Sequence, residues 1–379
     1  MNTGQPDSLP AVVAGILLCI VGAAHYLMMP LLIGSAAEQL KLVESQLGIL
    51  ASLLMSGATI SALLAIFLVR RFHWKKLAAF TLSMMVIGTG GTLMTQDSFS
   101  HFLAAVFLIS VGGGATYSLS LTILSDNGQP DRVFGYCIAA QVSFQVLGLL
   151  ILPVFIENHG LNALLLFLLV LDISGLYVIR FLPSAGKSPI LHNPFSVFMQ
   201  GRVVYALLGC MFFFFNVGCF WAFIERMGNA FGFSAQTIGN SLAIGVSMGI
   251  VGSLAASWQG NRRGRLEPMM ISAIGTVVSV ILLSVSIKLA VYILALAIYN
   301  FVWNYSLAYQ YSVVASVDAS GRGIAVAPAF HALGATIGPA VAGLVITSDN
   351  FLPLNILVAL SVIISVLLFI PALQKVKYA

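Results

Sequence analysis

The side chains of this protein that could do chemistry are few, and they lie inside apolar stretches. The densest run is Tyr299, Asn300, Trp303, Asn304, Tyr305, Tyr309, Gln310 and Tyr311. On a helix, Asn300, Trp303, Asn304 and Tyr311 fall on one face. That face offers amides and aromatic rings to a polar organic molecule, or hydrogen bonds and an aromatic belt to neighbouring helices. His25, next to Tyr26 and on one face with Gly22 and Met29, is an imidazole in apolar surroundings, as is His331. Each either exchanges a proton near neutral pH or sits neutral in a hydrogen bond.

Gln141 and Gln145 are one turn apart, so both amides can point the same way, toward a carboxylate, amide or hydroxyl or toward a neighbouring helix. Asn216 lies among phenylalanines, and Trp221, Glu225 and Arg226 follow it toward the end of the same segment. Adjacent Glu225 and Arg226 point about 100° apart on a helix, so they meet other helices, a charged solute or water rather than each other. Asp172 sits in mid-segment, where an unpaired carboxylate is expensive and a protonated or hydrogen-bonded one is expected. No catalytic constellation appears. Gly112 to Gly114 is not followed by the Lys-Ser/Thr of a phosphate loop, and the histidines lack metal-ligand spacing.

The elements that must position these residues follow from composition. Of 379 residues, 59% are hydrophobic and 8% charged, which excludes a water-soluble fold. The apolar material comes in blocks of about 20 residues, the length of a helix across hydrocarbon, without the alternation of a membrane barrel. The expectation is an all-α membrane protein of twelve spans: 11–34, 47–69, 77–95, 102–125, 134–156, 161–181, 203–226, 236–258, 268–287, 289–315, 323–347 and 351–373. The first apolar block is long enough to span, and the polar start from Met1 to Ser8 has no basic residue, so it reads as a retained helix. Cys19, Cys137, Cys210 and Cys219 all fall inside spans and read as small core residues.

A connection carrying Pro183, Gly186, Lys187, Pro189 and Pro194 splits the spans six and six. The expected organisation is therefore a bundle over 1–182, a cytoplasmic linker over 183–202 and a second bundle over 203–379. With both termini inside, fourteen lysines and arginines face the cytoplasm, against Lys41, Arg226 and Lys288 outside. This bias accounts for the net charge of +5 without a nucleic-acid partner. An offset of 190 positions pairs Arg132 with Arg322, Gln141 with His331 and Gly148 with Gly338, as expected of two repeats.

The turn after span eight, Ser257-Trp-Gln-Gly-Asn261-Arg262-Arg263-Gly264-Arg265, resembles the Gly-x-x-x-Asp-Arg-x-Gly-Arg motif of the major facilitator superfamily. Serine replaces its first glycine and Asn261 its aspartate. The first-half copy offers Arg70 and Arg71 but no acid, with His73 at the glycine position. Span eleven, Gly334 to Gly343, resembles the glycine-proline element that the family's drug exporters carry in span five. Gly112 to Gly114 resembles the Gly-rich packing face of span four, and Val106 stands about where proton-coupled exporters place an arginine.

The resemblance implies two pseudo-symmetric six-helix bundles, with spans one, four, seven and ten lining a central path. It further implies alternating-access transport of a small organic solute across a bacterial-type inner membrane by a monomer embedded in lipid. The energy source would be a proton gradient, with no bound cofactor and no enzymatic activity. Multidrug efflux is the alternative within transport, and a membrane sensor or embedded enzyme the alternative outside it. Candidate solute or coupling residues are His25, Tyr26, Gln141, Gln145, Asn216, Glu225, Arg226, Asn300, Trp303, Asn304 and His331. Arg70, Arg71, Asn261, Arg262, Gly264 and Arg265 form the candidate switch loops. Without the family's aspartate, the arginines are expected to engage helix ends or Glu267.

Overall fold

A computed structural model of the chain describes residues 8–68, 71–127, 130–184, 201–260, 262–317, 322–347 and 350–373. In hydrocarbon every backbone N–H and C=O needs a partner within the protein, and a helix satisfies both locally. The described residues accordingly form thirteen α-helices. They are α1 (Leu9–Leu27), α2 (Met29–Leu40), α3 (Glu44–Leu68), α4 (Trp74–Met94), α5 (Phe99–Ser125), α6 (Pro130–His159) and α7 (Leu161–Val178), then α8 (Gly201–Ala230), α9 (Ala235–Gln259), α10 (Leu266–Val285), α11 (Leu289–Val317), α12 (Arg322–Val345) and α13 (Leu352–Leu373). Eleven of them are long and apolar enough to cross a membrane.

Most expected span ends shift by a few residues, and two of these changes bear on the organisation of the chain. The first apolar block is not one helix over 11–34: it breaks at Met28, whose φ of −93° and ψ of 9° separate α1 from α2. Pro30 supplies the cause, because it lacks the N–H that would continue the helix and its ring crowds the carbonyl one turn back. The expected linker 183–202 loses its last two residues to α8, which begins at Gly201, while positions 185–200 lie outside the described residues.

The chain divides into two compact units. One comprises Met1–Val43 and Leu50–His192, the other Glu44–Ile49 and Asn193–Ala379. In the first, three consecutive glycines of α5 admit three different helices. A methyl at Gly112 would come 2.6 Å from the Thr81 carbonyl of α4, one at Gly113 would come 2.9 Å from the Gly22 carbonyl of α1, and one at Gly114 would strike the Ala58 backbone of α3. Close backbone approach of this kind is how membrane helices gain packing contacts where the lipid is as apolar as the side chains. Trp74, Leu82, Met85, Leu119 and Ile123 fill the adjoining core.

In the second unit, α12 lies on α8 through Gly334 and Gly338. Methyls there would land on the carbonyls of Met211 and Phe215. The glycine-proline element of span eleven is thus a packing surface. Gly245, Gly249 and Gly252 of α9 form a similar stripe against Leu296, Asn304 and Phe301 of α11.

Candidate functional site

Within the first unit, α1, α4 and α7 bring His25, Thr89 and Asp172 into one buried hydrogen-bonded chain. The Thr89 hydroxyl donates to Asp172 Oδ2 at 2.7 Å, and His25 Nε2 lies 3.2 Å from Thr89 Oγ1 and 3.8 Å from the same carboxylate oxygen. His25 is 3% exposed, and Thr89 and Asp172 are fully buried. The far atoms of the chain, His25 Nδ1 and Asp172 Oδ1, are buried without a hydrogen-bond partner among the described residues.

Glycines next to each member set this geometry. Gly22, one turn before His25, presses α1 on α5, where a methyl would come 2.7 Å from the Tyr117 backbone nitrogen. Gly88, beside Thr89, holds α4 on α5, a methyl there lying 2.8 Å from the Ala105 carbonyl. Gly175, nearly one turn after Asp172, receives Leu82 of α4 and Val21 of α1. Sequence reasoning names His25 and expects Asp172 to be protonated or hydrogen-bonded, without naming its partner; it misses Thr89. The available signal is the run Gly88-Thr89-Gly90-Gly91-Thr92, small and polar inside an apolar span.

Within the second unit, the ring of Phe214 on α8 carries His331 of α12 on one face, with centroids 4.0 Å apart and planes at 20°. Trp303 of α11 meets Phe214 edge-on at 6.4 Å and approaches Trp221 at 6.5 Å. Tyr311 is 3.2 Å from His331 Nδ1 through its hydroxyl. Two ring nitrogens of this cluster, His331 Nε2 and Trp303 Nε1, are buried with no hydrogen-bond partner among the described residues. When the tyrosine donates to Nδ1, both orphans are N–H donors awaiting an acceptor.

The face shared by Asn300, Trp303, Asn304 and Tyr311 divides between neighbours. Its amide edge lies on α9, where methyls at Gly245 and Gly249 would meet the side-chain nitrogens of Asn300 and Asn304. Asn300 Nδ2 donates to the Leu296 carbonyl at 2.9 Å and Asn304 Nδ2 to the Asn300 carbonyl at 3.0 Å, both back along α11. Asn216 is also engaged: Tyr299 donates to its Oδ1 at 2.6 Å, its Nδ2 donates to the Phe213 carbonyl at 2.6 Å, and Tyr299 stacks on Phe220 at 3.7 Å.

Gln141 bends back to the Cys137 carbonyl at 3.5 Å, whereas Gln145 donates to the Leu27 carbonyl at 3.2 Å. Tyr26 is half-buried on α1. Glu225 is buried, and Arg226 lies 3.9 Å from Glu44 within the second unit. In the loop after α9, Arg263 meets Glu267 at 3.2 Å, Arg265 Nε donates to Ser312 Oγ at 2.7 Å, and Arg262 lies 5.6 Å over the Trp258 ring. Gly264 has φ 72°, a conformation that favours glycine. Arg71 is exposed, and Arg70 and Asn261 lie outside the described residues. Among the described residues, no three His, Cys, Asp or Glu side chains converge as metal ligands.

No family model and no curated protein sequence matches the chain. Solved structures do. A mutant form of the nucleoside transporter NupG is similar over 98% of this chain and 100% of its own, with a TM-score of 0.82 at 14% identity. An auto-inhibited POT family peptide transporter is similar over 98% of each chain, with a TM-score of 0.75 at 14% identity. A bacterial homologue of the human lysosomal transporter Spinster, inward-facing and unoccupied, is similar over 96% of this chain and 94% of its own, with a TM-score of 0.66 at 13% identity. By its architecture, this chain has the fold of the major facilitator superfamily.

Proposed function

We propose that the chain is a secondary transporter, moving a small organic solute across a cytoplasmic membrane by alternating access of its two units and drawing on a proton gradient. The end-to-end similarity to solute transporters carries the transport reading. The loop bias of lysine and arginine supports cytoplasmic termini. In the second unit, the Phe214 face with the donors of Trp303 and His331 suits a solute that has a planar apolar part and acceptor atoms at its edge. A nucleoside, the solute class named for NupG, has both features. The transporter works as a monomer in this reading.

The experiment is uptake into liposomes containing the purified protein, with and without an imposed pH gradient. The panel comprises labelled nucleosides, dipeptides and sugars, each first screened for thermal stabilisation, since a ligand bound only by the folded state raises apparent stability. Accumulation of one class above equilibrium, abolished when the gradient is collapsed, is the expected result. Equal uptake by protein-free liposomes across the panel, with no stabilisation by any member, would remove the reading.

A further inference from the structure

We infer that His25, Thr89 and Asp172 form a proton-binding site, a three-membered wire holding one exchangeable proton shared between a carboxyl and an imidazole. This deepens the proton-coupled reading above and depends on it only for the use made of the proton.

The geometry permits two arrangements of equal charge. In one, Asp172 is protonated on Oδ2 and donates to Thr89 Oγ1, while the Thr89 hydroxyl donates to Nε2 of a neutral His25 that carries its proton on Nδ1. In the other, an imidazolium donates from Nε2 to Thr89 across 3.2 Å, and Thr89 donates to the Asp172 carboxylate across 2.7 Å. Interconversion breaks the Asp172 O–H bond and forms one on Thr89, while the original Thr89 O–H bond breaks and an N–H bond forms on His25. One proton's worth of charge moves and no electron is transferred. A hydroxyl is the required middle member, because it donates and accepts at once.

Net charge decides occupancy. With the shared proton in place the cluster is neutral overall; without it, a carboxylate beside a neutral imidazole leaves one uncompensated negative charge in a fully buried site. Such a charge is costly in hydrocarbon surroundings, so the proton is retained while the site stays dry and leaves when water reaches it. His25 Nδ1 and Asp172 Oδ1, both without partners among the described residues, are the atoms through which it would enter or leave. His25 also lies three residues before the break at Met28, so a change of angle between α1 and α2 acts next to the site.

The packed helices bring no competing ion pair to it among the described residues. On α4, Lys75 and Lys76 lie in the first turn, about 20 Å along the axis from Thr89. On α6, Asp131 and Arg132 lie in the first turn, Glu157 and His159 in the last, and Tyr136 and Cys137 between them. On α2, Glu38 lies in the last turn, beyond the break. On α5, His101 bonds Ser98 at the exposed start, and the Tyr117 backbone lies beside Gly22. On α1 the other titratable groups are Cys19 and Tyr26, and on α7, Tyr177.

The test reads the proton directly, by infrared difference spectroscopy of the protein in liposomes between mildly acidic and mildly alkaline buffer. The expected result is a protonated-carboxyl stretch that is absent from Asp172→Asn, moves in Thr89→Val through loss of its hydrogen bond, and returns in Thr89→Ser. His25→Gln should displace the pH range over which the band titrates. A wild-type band unaffected by Asp172→Asn, or no band at all, overturns the site. If Asp172→Asn does not fold, a band unmoved in Thr89→Val overturns it equally. Solute counterflow, which needs no net proton movement, separates the two readings. Asp172→Asn should retain counterflow while losing gradient-driven accumulation, whereas wild-type protein that titrates as expected but moves no solute keeps the proton site and removes the transport reading.

Discussion

Gln145 of α6 donates its side-chain amide to the carbonyl of Leu27, the last residue of α1 before the chain breaks at Met28. A helix broken inside a membrane is tolerated where neighbouring side chains re-satisfy its freed backbone groups, and Gln145 does this for Leu27. Replacing it with alanine leaves a carbonyl short of a donor at a cost of about 1–3 kcal/mol, read as a lower thermal midpoint. Pro30→Ala, which removes the cause of the break and lets the Leu31 N–H reach the Leu27 carbonyl in a continuous helix, should reduce that penalty; an undiminished penalty in the double variant would show that Gln145 acts elsewhere.

Trp303 and His331 make the opposite prediction. Their orphan nitrogens contribute no protein hydrogen bond, so Trp303→Phe, which keeps an aromatic ring and removes the donor, should leave thermal stability within about 1 kcal/mol. Solute affinity should fall by roughly tenfold, the worth of one buried hydrogen bond. A large loss of stability with unchanged affinity would make the indole a packing element only.

The helices and the fold were legible because apolar blocks of span length and clustered loop arginines are local signals. The break at Met28 also had a local signal, Pro30, but a proline in a span marks a kink, a break or nothing visible, and only the surrounding packing selects among them. The coupling of His25 to Asp172 had none. They are 147 positions apart, and the register between two membrane helices depends on where small residues let their backbones meet. Asn300 and Asn304 teach the same point: periodicity places them on one face with Trp303, yet Gly245 and Gly249 draw the amide edge onto α9 while the indole turns to Phe214.

If glycines set that register, enlarging one should disturb the buried chain without touching its members. Gly22→Ala puts a methyl 2.7 Å from the Tyr117 backbone nitrogen, which forces α1 away from α5 and should cost about 1–3 kcal/mol by overpacking. It should also move the Asp172 carboxyl stretch. Gly90→Ala, one residue from Thr89 but with open space around it, is the control and should change neither.

The loop after α9 separates two arginines by what they touch. Arg263 and Glu267 pair with side chains 63% and 47% exposed, so Glu267→Gln should change stability by less than about 1 kcal/mol, and less still in high salt. Arg265 instead donates from Nε to Ser312 of α11 in a part-buried bond at 2.7 Å, fixing the loop to a second helix. Arg265→Lys loses that fork geometry and should raise hydrogen exchange across 257–267 more than Glu267→Gln does. The reverse order would mean that charge pairing along α10 holds this loop. In that case Asn261→Asp, which adds an acid next in sequence to Arg262, should slow exchange as strongly as Arg265→Lys speeds it.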